Sequence, residues 1–127
     1  MNIVTALKGK ETLLSLGAAS RENIEEAESS LNVKFSADYV EYVSAYGAVS
    51  YLDHELTGVC ASKMLNVVEA TNHAKEIFNV PADWYVIEDT HMDGIVFWQA
   101  GNSEIYMTKP KATPVKKYAS LLAYVMV

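Results

Sequence analysis

Residues 21–58 read RENIEEAESSLNVKFSADYVEYVSAYGAVSYLDHELTG, in which two helical patterns precede two strand-like runs. In the first pattern, Ile24, Ala27 and Leu31 recur at helical spacing, and Ser20 stands before them as an N-cap. The other face of this predicted helix carries the polar residues Glu22, Glu25, Glu26 and Ser29. Because early acidic residues favour a helix N-terminus, we expect an amphipathic helix with an acidic outer face.

The second helical pattern begins after Ser36, a residue suited to capping a helix. Its predicted buried face consists of Tyr39, Tyr42, Val43 and Tyr46. Gly47 follows at once and predicts a left-handed residue that ends the helix. Since only residues 32–35 separate the two patterns, we expect the helices to form a corner.

A pattern of residue types runs through both predicted helices, at Ile24, Ala27, Glu28, Leu31, Val33, Phe35, Asp38, Tyr39, Val43 and the Tyr46-Gly47 pair. This pattern resembles the opening signature of the Smi/Knr-homology family in the SUKH superfamily. The resemblance implies an α+β fold and the role of a bacterial immunity protein, which binds and silences a partner toxin. The pattern contains no catalytic string, so the resemblance implies no reaction.

Two positions depart from the family pattern. Members commonly have Pro at the start of the second helix, where this chain has Ser36, and Asn before the terminating Gly, where this chain has Tyr46. Ser36 is still suited to capping and Gly47 to ending the helix, so we expect the same fold. The later family pattern of strand, Gly/Asp-rich turn and strand is similar to residues 86–98, VIEDTHMDGIVFW.

After Gly47 the hydrophobic period changes to that of strands. Residues 48–52 and 55–60 are predicted strands, with Asp53-His54 as the turn between them. Residues 66–78 return to helical spacing, with a predicted buried face of Val67, Ala70, Thr71, Ala74, Ile77 and Phe78.

The rest of the chain completes the predicted fold. Three buried strands are expected at residues 84–88, 95–99 and 105–108. Residues 109–114 hold two prolines and predict a linker, after which residues 115–126 predict an amphipathic helix. Residues 2–16 predict an N-terminal helix that Gly9 interrupts. We therefore expect one α+β domain over residues 1–127, a mostly antiparallel sheet flanked by N-terminal helices and a C-terminal helix.

Composition narrows the class of protein. Half of the 127 residues are hydrophobic, which suits a single core. The net charge of −6 and pI of about 4.9 disfavour nucleic acid and anionic membranes as direct partners and favour a basic protein. Cys60 is the only cysteine, and the N-terminus lacks an uninterrupted apolar signal segment. The longest apolar run, residues 121–127, is shorter than the ~20 residues that cross a bilayer, so we expect a cytoplasmic protein.

The sequence predicts no catalytic residues, no metal site and no cofactor. The available soft or borderline metal ligands are His54, His73, His91 and Cys60, and none has the spacing of a metal motif. His91 and Asp93 are near enough to chelate, but a polar loop contains such pairs by chance. Adjacent carboxylates such as Glu88 and Asp89 are explained more simply by a solvated face. Cys60 is expected to be a small buried apolar residue.

Charge is distributed unevenly along the chain. From Glu22 to Glu55, Lys34 is the only Lys or Arg among eight acidic residues, and residues 83–104 hold acidic residues without any Lys or Arg. These acidic residues predict a strongly negative side of the domain, and a negative surface accelerates association with a basic partner. The alternative interpretation is that the charge only keeps the protein soluble. The family resemblance favours binding. We predict that a basic toxin contacts one of two acidic triplets, Glu22, Glu25 and Glu26 or Glu88, Asp89 and Asp93.

Aromatic anchors of this interface are expected among Tyr51, Tyr85, Trp98 and Tyr124. The leading hypothesis is an immunity protein that neutralises a toxin domain, with a nuclease favoured, by covering its active or substrate-binding surface. One alternative is a regulatory scaffold of the Smi/Knr type, which binds proteins without inhibiting them. Another is a hydrolase or metal enzyme built on the acidic loop with His91.

Overall fold

A computed structural model describes residues 1–127, which form five helices and seven strands. The order along the chain is α1 (Ile3–Lys8), β1 (Leu14–Ser15), α2 (Arg21–Leu31), α3 (Ala37–Tyr46), β2 (Val49–Tyr51), β3 (His54–Glu55), α4 (Val67–Ile77), β4 (Tyr85–Asp89), β5 (Val96–Gln99), β6 (Ile105–Thr108), β7 (Val115–Tyr118) and α5 (Leu121–Val125). The fold class is α+β, as predicted from the sequence. None of the helices combines the length and the apolar character that crossing a membrane requires.

The strands form two antiparallel sheets. The first sheet has the order β1-β2-β3 and the second the order β4-β5-β6-β7. The segment after β3 joins them, because the Thr57 amide donates to the Ile87 carbonyl at 2.8 Å and the Thr57 hydroxyl to the Val86 carbonyl at 2.8 Å. The predicted antiparallel sheet is therefore present, but divided in two.

Two helices begin at the predicted serine caps, and α4 begins at a third cap, Asn66. The Ser20 hydroxyl accepts from the Asn23 amide at 3.1 Å, and the Ser36 hydroxyl accepts from the Tyr39 amide at 3.3 Å. Asn66 caps α4 with its side-chain oxygen. These side chains satisfy amides that have no partner inside their own helices, which fixes where each helix begins.

Tyrosines of α3 connect the helix to both sheets. Tyr39 and Tyr42 are fully buried. The Tyr42 hydroxyl donates to the Thr57 carbonyl at 2.7 Å and accepts from the Val49 amide at 3.1 Å. The Tyr39 hydroxyl lies 2.9 Å from the Thr57 hydroxyl. Because each buried hydroxyl has a partner, these polar groups fit inside the main hydrophobic core.

A smaller apolar cluster lies between α4 and the second sheet, where Ala74 packs with Trp84 and Trp98. Thr71 and Ala74 of α4 are buried as predicted, but Ile77 is 62% exposed. Ile77 is the last residue of the helix, and the chain turns away after it.

The C-terminal region differs from its prediction as one long helix. Val115–Tyr118 instead forms β7, which pairs antiparallel with β6, and α5 is confined to Leu121–Val125. Ser120 caps α5, and the Asp38 carboxylate accepts from the Leu121 amide at 2.9 Å. Pairing with β6 therefore makes residues 115–118 a strand, and the bond to Asp38 fixes the start of the helix at Leu121, although the local hydrophobic period is helical.

The first sheet also differs from its prediction. Its hairpin turns at Leu52 and Asp53, and β3 ends at Glu55 instead of continuing to Cys60. Leu14–Ser15, predicted as the end of a helix, pairs with β2 as β1. These short strands depend on cross-strand partners, which a local period does not reveal.

Gly47 ends α3 with φ 72° and ψ −67°, so its φ is positive as predicted but its conformation is not the left-handed helical one. A Cβ atom at this position would lie 2.0 Å from the Gly17 carbonyl oxygen. Gly47 is therefore required both by its backbone conformation and by the close approach of a second backbone segment.

Candidate functional site

A groove of about 530 Å³ lies between α2 and the start of α4. Its other walls are residues 16–19, which connect β1 to α2, and residues 59–61, which follow the first sheet. The floor consists of small or short apolar side chains, including Ala27, Val59 and Val68. Binding sites in proteins commonly have this size and this mixture of apolar floor and polar rim.

Backbone hydrogen bonds hold the rim segment of the groove in place. The Leu16 amide donates to the Ala48 carbonyl at 2.9 Å, and the Ala19 amide donates to the Val43 carbonyl at 3.0 Å. Between them, Gly17 has a φ of 99°, a conformation that suits glycine. Leu16 is consequently fixed at the mouth of the groove with 54% of its surface exposed.

Two carboxylates line the groove, Glu26 from α2 and Glu69 from α4, and no Lys or Arg lines it. Both are exposed. Asn66 makes the α4 wall rigid, because its oxygen accepts from the Val68 amide at 2.9 Å and its amide nitrogen donates to the Cys60 carbonyl at 2.9 Å. The groove therefore combines a fixed apolar floor with a negative rim.

Cys60 contributes to this groove and is partly exposed, so the expectation of a buried apolar residue is wrong. Its thiol lies 3.7 Å from the Ser62 carbonyl oxygen. Partial burial raises the pKa of the Cys60 thiol, which keeps the group protonated near neutral pH.

The first predicted acidic triplet is exposed on one helix. Glu22, Glu25 and Glu26 all lie on the solvent side of α2, and Glu26 also lines the groove. Glu25 accepts from the Arg21 side chain at 3.0 Å, an exposed i,i+4 pair. Glu26 therefore brings the acidic side of α2 to the groove, whereas Arg21 offsets part of the charge of Glu25.

The second predicted triplet does not form one exposed surface. Glu88 is only 4% exposed, so its placement at a partner-binding surface is wrong. Its carboxylate accepts from His54 Nδ1 at 3.0 Å and from the Glu55 amide at 2.9 Å. Asp89 is half-buried and accepts from the His91 amide at 2.9 Å, whereas Asp93 is exposed. Glu88 is buried because β3 supplies donors that compensate its charge.

A family model with the description SMI1-KNR4 cell-wall, designated SUKH_5, matches residues 1–123. This chain belongs to the SMI1-KNR4 family. No curated protein matches the chain. The family match confirms the predicted resemblance over nearly the whole of this chain, including α2 and α4, the two helices that form the groove.

The two departures from the SMI1-KNR4 opening signature preserve its structure. Ser36 caps α3, and its hydroxyl also donates to Gln99 Oε1 at 2.8 Å. Tyr46 precedes Gly47, and its hydroxyl donates to the Val4 carbonyl at 3.1 Å, which connects α3 to α1. Each substitution therefore adds a contact between elements that are distant in the sequence.

The aromatic anchors predicted for this SMI1-KNR4 protein are wrong. All four are buried, namely Tyr51, Tyr85, Trp98 and Tyr124. The large apolar residues that are exposed are aliphatic, such as Leu14, Leu16 and Leu52. Tyr85, Trp98 and Tyr124 each donate a hydrogen bond inside the core, and the Tyr51 ring packs against His54. Any apolar anchor on this surface is therefore aliphatic.

The histidines lie apart from the groove. His91 is exposed, with Nδ1 3.7 Å from the Asp89 carboxylate, and His54 contacts the buried Glu88. No three His, Cys, Asp or Glu side chains are gathered as for a metal ion. Sequence reasoning missed the groove because its walls come from four separate segments. Its only local signal is the run of small residues Gly17, Ala18 and Ala19.

Proposed function

We propose that this SMI1-KNR4 family member is an immunity protein that binds a cognate toxin domain and neutralises it by covering its active or substrate-binding surface. Family membership supports a protein-binding role. The observation that carries the proposal is the acidic side of α2, which continues through Glu26 into a groove without Lys or Arg. A nuclease toxin is the favoured target, because a surface that binds nucleic acid is basic.

In this proposal the protein acts by binding alone, as a cytoplasmic protein without catalysis, metal or cofactor. The net charge of −6 attracts a basic partner over long range and raises the association rate. Apolar contacts near Leu16 then determine how long the complex lasts, because dissociation depends on desolvated contacts at the centre of an interface.

The first test is protection of growing bacteria. The gene next to that of this chain is examined for a toxin domain, the chain is co-expressed with any such domain, and growth is compared with the toxin domain alone. Restored growth and inhibition of the purified toxin are expected. A toxin that remains fully active in the presence of excess folded protein would contradict the proposal.

The second test concerns the acidic face of α2. Neutralising Glu22, Glu25 and Glu26 to Gln is expected to slow association at low salt and to flatten its dependence on ionic strength. A control triple variant removes the same charge at exposed positions outside the groove, Glu11, Glu41 and Glu76. Equal salt dependence for the two triple variants would show that only total charge matters.

The second candidate is a non-catalytic regulatory scaffold. The family description includes the words cell-wall and names no toxin, which suits a role in the protein's own cell. A scaffold binds its partner without abolishing the partner's activity. Gene context and the inhibition assay separate the two functions, since immunity requires a neighbouring toxin gene and measurable inhibition.

A further inference from the structure

We infer that the groove between α2 and α4 receives an arginine side chain, flanked by apolar residues, from the surface of a protein partner. This inference rests on the proposed binding role and assigns it a place and a partner chemistry. The exposed carboxylates of Glu26 and Glu69 line the groove and no Lys or Arg lines it, so a cationic side chain complements its negative rim. A guanidinium group suits two carboxylates because it is planar, carries five donors and is weakly hydrated.

The groove does not suit an anionic ligand. The amides of Val68 and Glu69 at the start of α4 already donate to the Asn66 side chain, at 2.9 and 3.3 Å. A helix N-terminus with capped amides has little left to offer a phosphate or carboxylate. Since Glu26 and Glu69 repel negative charge as well, cationic groups are the matching class of ligand.

Apolar surface extends the site beyond the two carboxylates. Leu16 is fixed at the mouth with 54% of its surface exposed, although the chain has an extensive core available. The floor beneath it is formed by short side chains such as Ala27 and Val59, which leave space that no residue of this chain fills. An apolar residue of the partner beside the arginine would cover Leu16 while the aliphatic stem of the arginine lies along the floor.

The direct test is an NMR titration with a defined probe, the acetylated and amidated pentapeptide Gly-Leu-Arg-Leu-Gly. Binding is expected to shift the amide signals of Ala18, Ala19, Ala61 and Val68. The control peptide has Glu in place of Arg and is expected to produce no such shifts. Identical shifts from both peptides, or no groove shifts at millimolar arginine peptide, would overturn the inference.

Two neighbouring serines on α2 provide a matched steric control. Both are exposed, but only Ser30 lines the groove. Ser30→Trp is expected to fill the groove and weaken peptide binding at least about tenfold, whereas Ser29→Trp leaves it unchanged. Tryptophan is tolerated on an exposed helix face, and a thermal unfolding curve for each variant confirms folding. Equal binding by both variants would place the peptide elsewhere.

A charge control separates the groove from net charge. Glu26→Gln with Glu69→Gln is expected to weaken the arginine peptide about tenfold, as two exposed ion pairs are lost. Glu41→Gln with Glu76→Gln removes the same charge outside the groove and is expected to have little effect. If the two double variants lost equal affinity for the peptide, long-range attraction alone would explain the loss, and the inference would be overturned.

The growth assay distinguishes this inference from the proposed function. If Ser30→Trp protects as well as the unaltered protein, the groove is not the toxin site, although the immunity function stands. If the unaltered protein gives no protection, the immunity function fails, and the peptide titration still decides whether the groove binds arginine.

Discussion

The hydroxyl of Tyr124 donates a hydrogen bond to the carboxylate of Glu88, although the two residues lie 36 positions apart in the chain. The same carboxylate oxygen accepts from His54 Nδ1, and the other oxygen accepts from the Glu55 amide. Glu88 thus connects β4 to β3 and to α5. A buried carboxylate is tolerated because these three donors replace the water it loses.

Tyr124→Phe is expected to lower the free energy of unfolding by about 2 kcal/mol, because it removes a hydrogen bond to a charged buried group. Urea denaturation measures the change. Tyr118→Phe is the control, since the hydroxyl of half-buried Tyr118 makes no hydrogen bond and its ring packs against Tyr124. Equal losses in the two variants would show that the bonded Tyr124 hydroxyl stabilises the protein no more than the unbonded hydroxyl of Tyr118.

Stability is expected to fall steeply above about pH 10. Burial raises the pKa of Tyr39, Tyr42, Tyr51, Tyr85 and Tyr124. Their folded pKa values lie above the unfolded value of 10.0. The stability gained by burying these neutral tyrosines is therefore complete below about pH 10, and it is lost as the pH rises above that value and the unfolded chain ionises. Each fully buried tyrosine then contributes a slope of about 1.4 kcal/mol per pH unit.

Urea denaturation between neutral and alkaline pH measures this slope, and tyrosinate absorbance of the folded protein reports ionisation directly. The buried tyrosines are expected to ionise only as the protein unfolds. Ionisation of all eight tyrosines at about pH 10, the ordinary tyrosine pKa, without loss of helical circular dichroism would contradict the expectation.

Gly47→Ala and Gly47→Asn are both expected to destabilise the protein by about 3 kcal/mol or more, since strain and overpacking act together. Asn tolerates positive φ, but its Cβ would meet the Gly17 carbonyl oxygen at the same 2.0 Å. Gly9→Ala is the control, because Gly9 has φ −79° and its added Cβ would lie 3.7 Å from the nearest atom. Thermal unfolding compares the three variants, and a mild effect of Gly47→Asn would show that the Gly17 segment moves away readily.

Leu52→Asn is expected to raise the free energy of unfolding by roughly 1 kcal/mol. Leu52 is 66% exposed at the hairpin turn and has φ 53°, a conformation in which Asn is far commoner than Leu. Leu14→Asn is the control, because Leu14 is 70% exposed but lies in β1 without positive φ. Chemical denaturation distinguishes the variants. A loss of stability in Leu52→Asn would mean that the leucine side chain packs usefully at the turn.

Local patterns predicted the parts of this fold that local forces determine. Ser20 and Ser36 cap their helices because each side chain reaches an amide three residues away. Residues 109–114 form the predicted linker, but helix is wrong for residues 115–118, because β7 depends on β6, and the start of α5 depends on Asp38, 83 residues before Leu121.

The candidate site was harder to predict for the same reason. Glu88 ends a predicted buried strand and begins an acidic turn, and the donors that compensate its buried charge come from β3 and α5, which its local sequence does not reveal. The acids of α2 were placed correctly on the solvent side because a single helical period separates its two faces. The groove beside them arises only when four segments come together.

The close approach of Gly17, Gly47 and Gly58 constrains how this chain can evolve. A Cβ at Gly58 would lie 1.8 Å from the Gly47 carbonyl oxygen, just as one at Gly47 would collide with Gly17. Both obstacles are main-chain atoms, so shrinking a neighbouring side chain cannot compensate for a substitution. We expect descendants that keep this junction to retain both Gly47 and Gly58, while Ser30, Glu26 and the other exposed positions around the groove remain free to change with each new partner.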